Sequence, residues 1–403
     1  MPLPEGVAAI FPFSPNWRTP PEQRREYLTD ILYSRDRTPQ RRALRSKPRE
    51  TLTVSLTLAG REALACQQFL SRLQPYTVLV PLWPRVCRLS SLAGVGSTTL
   101  VLDRPFPVDI RVADHLVLMR PGLEAEAAML TAISANRRTL TLDAELAAAW
   151  PAGSAVYPAW QCLVPDSVSA RRPSAGVLEL ALQVQRRIDA QPPAAPYGEP
   201  EKEVDGLEVL LKRINWRDGL DATFDWTPQL IDNQVGPIAT EILGRYSPLA
   251  MSAEVLCQSR SEIDEWLGFF DRLRGRRGQF LTSSHIDPLP LQAPTVGGYD
   301  FELRGVDLGR WAPHEDVVTH LMVRKPGGGI GIYAIDSFTT DFNADVTRIT
   351  TVDAWDESYG PWEATGTWLV LQAHLSADAL TLRWHSAEVA GFTLAITATE
   401  RLP

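Results

Sequence analysis

Cysteine is scarce and histidine is scattered, and each scarcity excludes a class of chemistry. The chain of 403 residues has four cysteines, Cys66, Cys87, Cys162 and Cys257, and no Cys-x-x-Cys pair, which leaves neither a zinc knuckle nor a disulfide framework and points to free thiols in a reducing compartment. Six histidines include no His-Glu-x-x-His and no pair on one helical face, so no zinc-protease constellation exists. His314, Glu315, Asp316 and His320 form the densest group and read as a solvated turn beside a strand. No apolar run reaches membrane-spanning length, and the first residues, Met1 to Glu5, lack a basic segment followed by an apolar one; neither membrane insertion nor export is expected. Positive charge is not in excess either. A net charge of -8 argues against general nucleic-acid binding.

Phosphate and nucleotide loops are missing as well. Gly94-Val95-Gly96-Ser97 lacks the third glycine and the βαβ context of a dinucleotide site. Pro326-Gly327-Gly328-Gly329-Ile330-Gly331 lacks the Gly-Lys-Ser/Thr ending of a phosphate loop and reads as a hairpin turn. No Gly-x-Ser-x-Gly elbow occurs. No catalytic residue, metal ligand or cofactor is assigned, and the chain is read as a non-enzyme.

What the chain does have is a repeat. Arg45–Leu73 aligns with Arg245–Leu273 without a gap, pairing Pro48 with Pro248, Leu56 with Leu256, Glu62 with Glu262 and Phe69 with Phe269. Asn-Trp-Arg precedes both copies, at Asn16-Trp17-Arg18 and Asn215-Trp216-Arg217. A catalytic group is seldom needed twice, whereas a module making similar contacts at two places is, so the repeat favours an assembly role.

Periodicity gives the plan of each copy. Tyr27–Tyr33 and Leu52–Leu58 read as strands, the second alternating Leu52, Val54, Leu56 and Leu58 with polar residues. Arg61–Leu73 and Ser261–Leu273 carry apolar residues at helical spacing, with Ser261 and Asp264 as the expected capping pair of the second helix. Each helix leads into five short β segments: 98–102, 115–119, 127–133, 139–143 and 155–160 in the first copy, and 299–306, 317–324, 331–338, 346–352 and 367–374 in the second. Closing strands follow at 175–180 and 390–395, one residue out of phase with each other. The expected fold is mainly β: a tandem duplication of a β-sandwich plus one helix, each copy carrying a small inserted β-barrel or β-sandwich domain. The expected boundaries are 1–85 with 161–190 for the first module, 86–160 for its insert, 191–204 for a Pro-rich linker, 205–290 for the second module, and 291–403 for the second β domain with its closing strand.

Two features suggest surfaces. Arg35, Arg37, Arg41, Arg42, Arg45, Lys47 and Arg49 crowd one segment, and Arg274, Arg276 and Arg277 follow the second helix. Arginine forks suit bidentate pairing with carboxylates, so Arg35, Arg37, Arg41, Arg42, Arg45, Arg274, Arg276 and Arg277 are candidates for a subunit interface. Trp355, Trp362, Trp368 and Trp384 cluster near the C-terminus and are candidates for a glycan platform, set against simple core packing.

Phe11-Pro12-Phe13-Ser14-Pro15-Asn16-Trp17, Thr29-Asp30-Ile31-Leu32, Thr38–Arg45 and Phe270–Gly278 together resemble the distal-tail or tail-tip structural proteins of long-tailed, siphovirus-like bacteriophages and their relatives in prophages and gene transfer agents. The resemblance covers both core segments and only weakly the β blocks, and this chain departs from it in size and in its two inserts. It implies a virion protein at the tail tip, assembled in the host cytoplasm into a ring joining the tail tube to the hub or baseplate. The implied partners are other copies of the chain, the tail tube protein, and the hub and tape-measure proteins, with DNA passing transiently through the lumen. An acidic chain suits that passage, because a lumen without strong positive potential lets a polyanion slide. Tubes in that family are six-fold and hubs commonly three-fold, so two fused modules favour a trimeric pseudo-hexamer over a hexamer. The alternative is a host-surface carbohydrate-binding tail protein.

Overall fold

The computed structural model describes residues 9–34, 39–72, 77–163, 167–187, 197–212, 214, 219–224, 229–232, 234, 236, 238–241, 249–285, 291–292, 297–307, 318–325, 329–355 and 366–398. The protein is mainly β, with two α-helices among these residues. The first half contains β1 (Ala9–Ile10), β2 (Glu22–Glu26), β3 (Thr29–Tyr33), β4 (Pro39–Ala43), β5 (Arg49–Ala59), α1 (Arg61–Arg72), β6 (Thr77–Pro81) and β7 (Cys87–Arg88). It continues through β8 (Thr99–Val101), β9 (His115–Arg120), β10 (Glu124–Ile133), β11 (Thr139–Leu142), β12 (Ala155–Leu163), β13 (Ala170–Ser174) and β14 (Val177–Arg186). The second half contains β15 (Glu203–Val204), β16 (Leu207–Leu210), β17 (Leu220–Phe224), β18 (Gln229–Ile231), β19 (Ala239–Glu241), β20 (Leu249–Cys257), α2 (Arg260–Leu273), β21 (Gln279–Ser283) and β22 (Leu291–Gln292). Its remaining strands are β23 (Asp300–Arg304), β24 (Val318–Arg324), β25 (Ile330–Asp341), β26 (Val346–Thr351), β27 (Gly366–Leu375), β28 (Ala379–Trp384) and β29 (Ala390–Ala398).

One pairing scheme recurs in the two halves. β1 runs parallel to β6, and β16 parallel to β21. β5 lies between β2 and β14, and β20 between β17 and β29. β3 with β4, and β18 with β19, form separate two-stranded sheets. β12 pairs with β6, β9 and β14, as β27 pairs with β21, β24 and β29. Each insert then follows as a chain of antiparallel neighbours, β9–β10–β11–β8 in one and β24–β25–β26–β23 in the other. Apolar packing follows the same division. One core lies under α1 and one under α2, and each insert has its own, around Leu100, Leu130 and Trp150 or around Phe301, Tyr333 and Trp355.

Burial corrects the ungapped alignment. Leu52, Val54, Leu56 and Leu58 point inward on β5, but on β20 the inward residues are Met251, Ala253, Val255 and Cys257, and Leu256 is half-buried. The strands therefore correspond with an offset one smaller than the helices, where Ala63 and Cys66 answer to Ile263 and Trp266; the second half has one more residue at the strand-to-helix turn. A slip by an odd number of residues exchanges the two faces of a strand, and the closing strands look out of phase in the sequence because Ala390 answers to Leu178 and not to Ala175. In register, Leu178, Leu180, Leu182 and Leu58–Leu178 pairing answer to Ala390, Phe392, Leu394 and Cys257–Ala390 pairing.

Other expectations shift locally. Tyr27–Tyr33 is not one strand: β2 ends at Glu26, β3 begins at Thr29, and Tyr27 turns into the second half's core. α2 is capped by Ser259, whose Oγ accepts the Glu262 N–H at 3.2 Å, while Glu262 reaches back to the Gln258 N–H at 2.7 Å. Ser261 and Asp264 are not the cap; Asp264 lies a turn further on and faces an arginine. β12 runs on to Leu163 across the expected insert boundary at 160, serving both the insert and the sheet. Residues 191–196 of the expected linker lie outside the described residues, and Tyr197 packs directly on α2, where a Cβ on Gly268 would stand 2.6 Å from the Tyr197 Cβ.

Candidate functional site

The two halves meet along β2. Its one edge pairs with β5 of its own half and its other edge with β28 of the second half, from Glu22 opposite Arg383 to Glu26 opposite Ala379. The sheet is therefore continuous through the junction. β2 is polar in sequence, Glu-Gln-Arg-Arg-Glu, yet Gln23 and Arg25 are buried, and Arg25 reaches Asp271 of α2 in the second half.

A buried ionic cluster fills the seam. Arg25 donates to Glu50 at 2.7 Å, to Asp271 of α2 at 2.7 Å and to the Tyr197 hydroxyl at 3.2 Å, and stands 3.6 Å from Asp109. Arg85 bonds Asp109 and, at 2.6 Å, Asp264 of α2. Arg186 donates to Glu50 at 2.5 Å and lies 3.5 Å from Asp114. The Tyr27 hydroxyl donates to Asp271 at 3.0 Å. Arg260 of α2 reaches the carbonyl of Val86 in the first half. Buried charge is tolerated only when paired and hydrogen-bonded, and here two of the ion pairs, Arg25–Asp271 and Arg85–Asp264, cross from one half to the other.

Three arginines, Arg25, Arg85 and Arg186, face five carboxylates: Glu50, Asp109, Asp114, Asp264 and Asp271. That excess of acid divides their titration. Burial would raise Glu50, but Arg25 and Arg186 outweigh it and hold the carboxyl at about 2. Burial pushes Asp271 up to about 6, beyond what Arg25 recovers, with Glu50 and Asp109 opposing its ionisation. Asp264 and Asp114 are raised by burial in the same direction.

A pH dependence follows. A carboxyl whose folded value lies above its unfolded value stabilises the fold when protonated, and that contribution fades as pH rises through about 6. Glu50 acts oppositely, its contribution being present above the ordinary carboxylate range and lost as pH falls through about 2. The parent is expected to lose more stability than Asp271→Asn between about pH 4 and pH 6, by on the order of 2 kcal/mol. Urea denaturation of both proteins across that window measures it; parallel curves would show that Asp271 ionises normally.

The candidate interface arginines lie beside this seam. Arg35 and Arg37 fall outside the described residues. The β3–β4 sheet packs on the Gly275–Arg277 turn after α2, so the two basic groups meet. Arg41 and Arg276 are half-buried near each other and near His374; Arg45 is half-buried, and Arg42, Arg274 and Arg277 are exposed. Burial lowers Arg41, and Arg276 adds to that. Burial and then the two arginines press His374 down to about 3, leaving it neutral, its Nδ1–H donating to the Thr397 carbonyl at 3.0 Å. Asp378 ties the turn to the hairpin, accepting the Arg276 N–H at 2.9 Å and the Thr29 N–H and hydroxyl at 2.8 Å. Gly275, at φ 67°, is required there, since a Cβ would stand 2.6 Å from an Asp378 carboxylate oxygen. The described arginines thus border a junction within one chain.

The glycan platform needs correction. Trp355 and Trp384 are each 1% exposed, so neither ring offers a face to a sugar. Trp355 packs edge-on to Phe301 in the second insert's core, and Trp384 lies in the core under α2 with Arg85 over its ring. Trp368 is half-buried against Gly366, and Trp362 lies outside the described residues. Aromatic area went into packing.

No protein family matches this chain, and no curated protein does. Among solved structures, the N-terminal tandem CBM22-1–CBM22-2 domain of Paenibacillus barcinonensis Xyn10C aligns at 11% identity over 93% of this chain and 91% of that one, with a TM-score of 0.13. A likeness that low carries nothing about fold or function.

Proposed function

We propose that this chain is a non-enzymatic structural protein that forms a ring at the distal end of a bacteriophage tail, joining the tail tube to the hub or baseplate. One observation carries the reading: two halves with the same pairing scheme are joined edge to edge, strand to strand, through a buried ionic seam. Such a joint suits a subunit that tiles, and the resemblance of the sequence to tail-tip proteins supplies the setting. On this reading the halves descend from one duplicated module, and three copies carrying two modules each meet a six-fold tube and a three-fold hub. Tail tube, hub and tape-measure proteins are the neighbours, and DNA crosses the lumen. No helix among the described residues is long and apolar enough to cross a membrane. The carbohydrate-binding alternative retains only Trp368 among the described tryptophans of its platform.

Mass spectrometry and immunogold labelling of purified particles test the proposal. The chain is expected at the tail tip, with three copies per ring by electron microscopy. Absence from the virion overturns the structural role, and six copies per ring overturn the trimer.

A further inference from the structure

The seam inside the chain has a counterpart at two strand edges that pair with no second strand among the described residues. β17 stands beside β20 as β2 stands beside β5, and β13 stands beside β14 as β28 stands beside β29. β2 and β28 are paired with each other; among the described residues β13 pairs with β14 alone and β17 with β20 alone. All of β13 is exposed, as is all of β17 except Leu220. Open strand edges with exposed residues are templates for pairing.

The register of the missing joint can be read from the existing one. With β5 and β20 in burial phase, Glu22, opposite Thr53, answers to Asp221, opposite Ser252. With β14 and β29 in the same phase, Arg383, opposite Gly391, answers to Arg171, opposite Glu179. Glu22 and Arg383 face each other across the internal seam and form an ion pair at 3.3 Å. Their counterparts, Asp221 and Arg171, keep the same signs on two edges that do not meet within the chain.

Neighbouring positions agree. Arg25 opposite Leu380 answers to Phe224 opposite Val168, and Asp264 of α2 answers to Leu64 of α1. Phe224 is 54% and Leu64 58% exposed. Asp271 answers to Ser71, so where the seam inside the chain carries Arg25, Asp264 and Asp271 its edges carry two apolar side chains and one hydroxyl, and the apolar pair gains by being covered. Pro173 does not obstruct the edge. It answers to His385, whose N–H turns away from the seam to the Val389 carbonyl, whereas the seam-facing Trp384 N–H, which donates to Pro21, answers to that of Arg172.

We infer that β13 of one copy pairs antiparallel with β17 of a second copy of this chain, placing Arg171 opposite Asp221 of the neighbour and covering Phe224 with Val168 and the α1 face around Leu64. The joint rests on the assembly reading above, though not on the virion setting. Its two edges differ, so copies add head to tail and a ring closes when the rotation allows.

Cysteines at the paired positions test it. Arg383 and Glu22 sit at a site without mutual backbone bonds, given the flanking Trp384-to-Pro21 bond, where Cα atoms lie about 4.5 Å apart and a disulfide fits. The native cysteines Cys66, Cys87, Cys162 and Cys257 are all buried. Mixed Arg171→Cys and Asp221→Cys proteins, mildly oxidised, are expected to give a covalent dimer that neither gives alone, and a chain carrying both a ladder of covalent oligomers. Arg171→Asp or Asp221→Arg should weaken assembly about tenfold or more by sedimentation, the two together restoring it, since like charges face each other only in the singles. Circular dichroism confirms folding, and both positions are exposed. No mixed disulfide, or single reversals that assemble like the parent, overturns the joint. Cross-linking by a chain absent from virions leaves the joint standing and removes the tail setting; a tail-tip chain that never cross-links removes the joint alone.

Discussion

Arg25→Met is expected to cost about 3 to 5 kcal/mol of stability, because it removes one partner from a buried ionic cluster and leaves the others charged. Arg25 is 4% exposed and bonds Glu50, Asp271 and Tyr197 at once. Glu50 retains Arg186 and Asp109 retains Arg85, but Asp271 keeps only the Tyr27 hydroxyl among these partners. The deficit therefore falls at the contact between β2 and α2. Urea denaturation followed by circular dichroism measures it. The double variant Arg25→Met, Asp271→Asn is expected to recover part of the loss, since it removes the carboxylate left without a cation while Glu50 keeps Arg186 and Asp109 keeps Arg85. A loss below about 1 kcal/mol in the single variant would show that water reaches Arg25 and that the seam is not held by charge.

Regular structure was legible because it is periodic. All ten insert segments contain strands, and both helices lie on their apolar stripes, Leu73 of the first falling outside the described residues. The seam was not legible. Arg25 sits in Glu22–Glu26, which reads as solvated surface, and Asp264 and Asp271 lie on the polar side of α2 as any exposed helix would place them. Charged residues are seldom buried unless paired, and these partners are separated by up to 246 positions, Arg25 to Asp271, so no local pattern marks them. The basic groups around Arg41 and Arg276 were visible as composition, but their meeting depends on the hairpin folding onto the turn after α2. The tryptophans were legible as two alternatives, a glycan platform and core packing, and Trp355 and Trp384 take the second, in two different cores.

Phe269→Ala is expected to cost about 3 to 5 kcal/mol, and Phe69→Ala less, although the sequence pairs the two residues and leads one to expect equal burial. Phe269 is 4% exposed, edge-on to Trp266 and to Phe280 of β21. Phe69 is only half-buried, edge-on to Phe11 and Phe13. Their helices explain the difference. α2 is covered on its second side by the first half, through Tyr27 against Phe270, Arg25 against Asp271 and Arg85 against Asp264, and seven of its residues are buried. α1 buries only Ala63 and Cys66. Truncation removes transfer energy and leaves a cavity whose cost depends on how completely the site was enclosed, so Phe69→Ala should cost about 1 to 3 kcal/mol in the isolated chain. Assembly that covers α1 should narrow the gap by making the two environments alike. Urea denaturation of both variants, at concentrations below and above any self-association, gives the comparison. Equal losses in the dilute chain would mean that Phe69 is as enclosed as Phe269 without a neighbour, and that the outer face of α1 has no deficit for a second copy to fill.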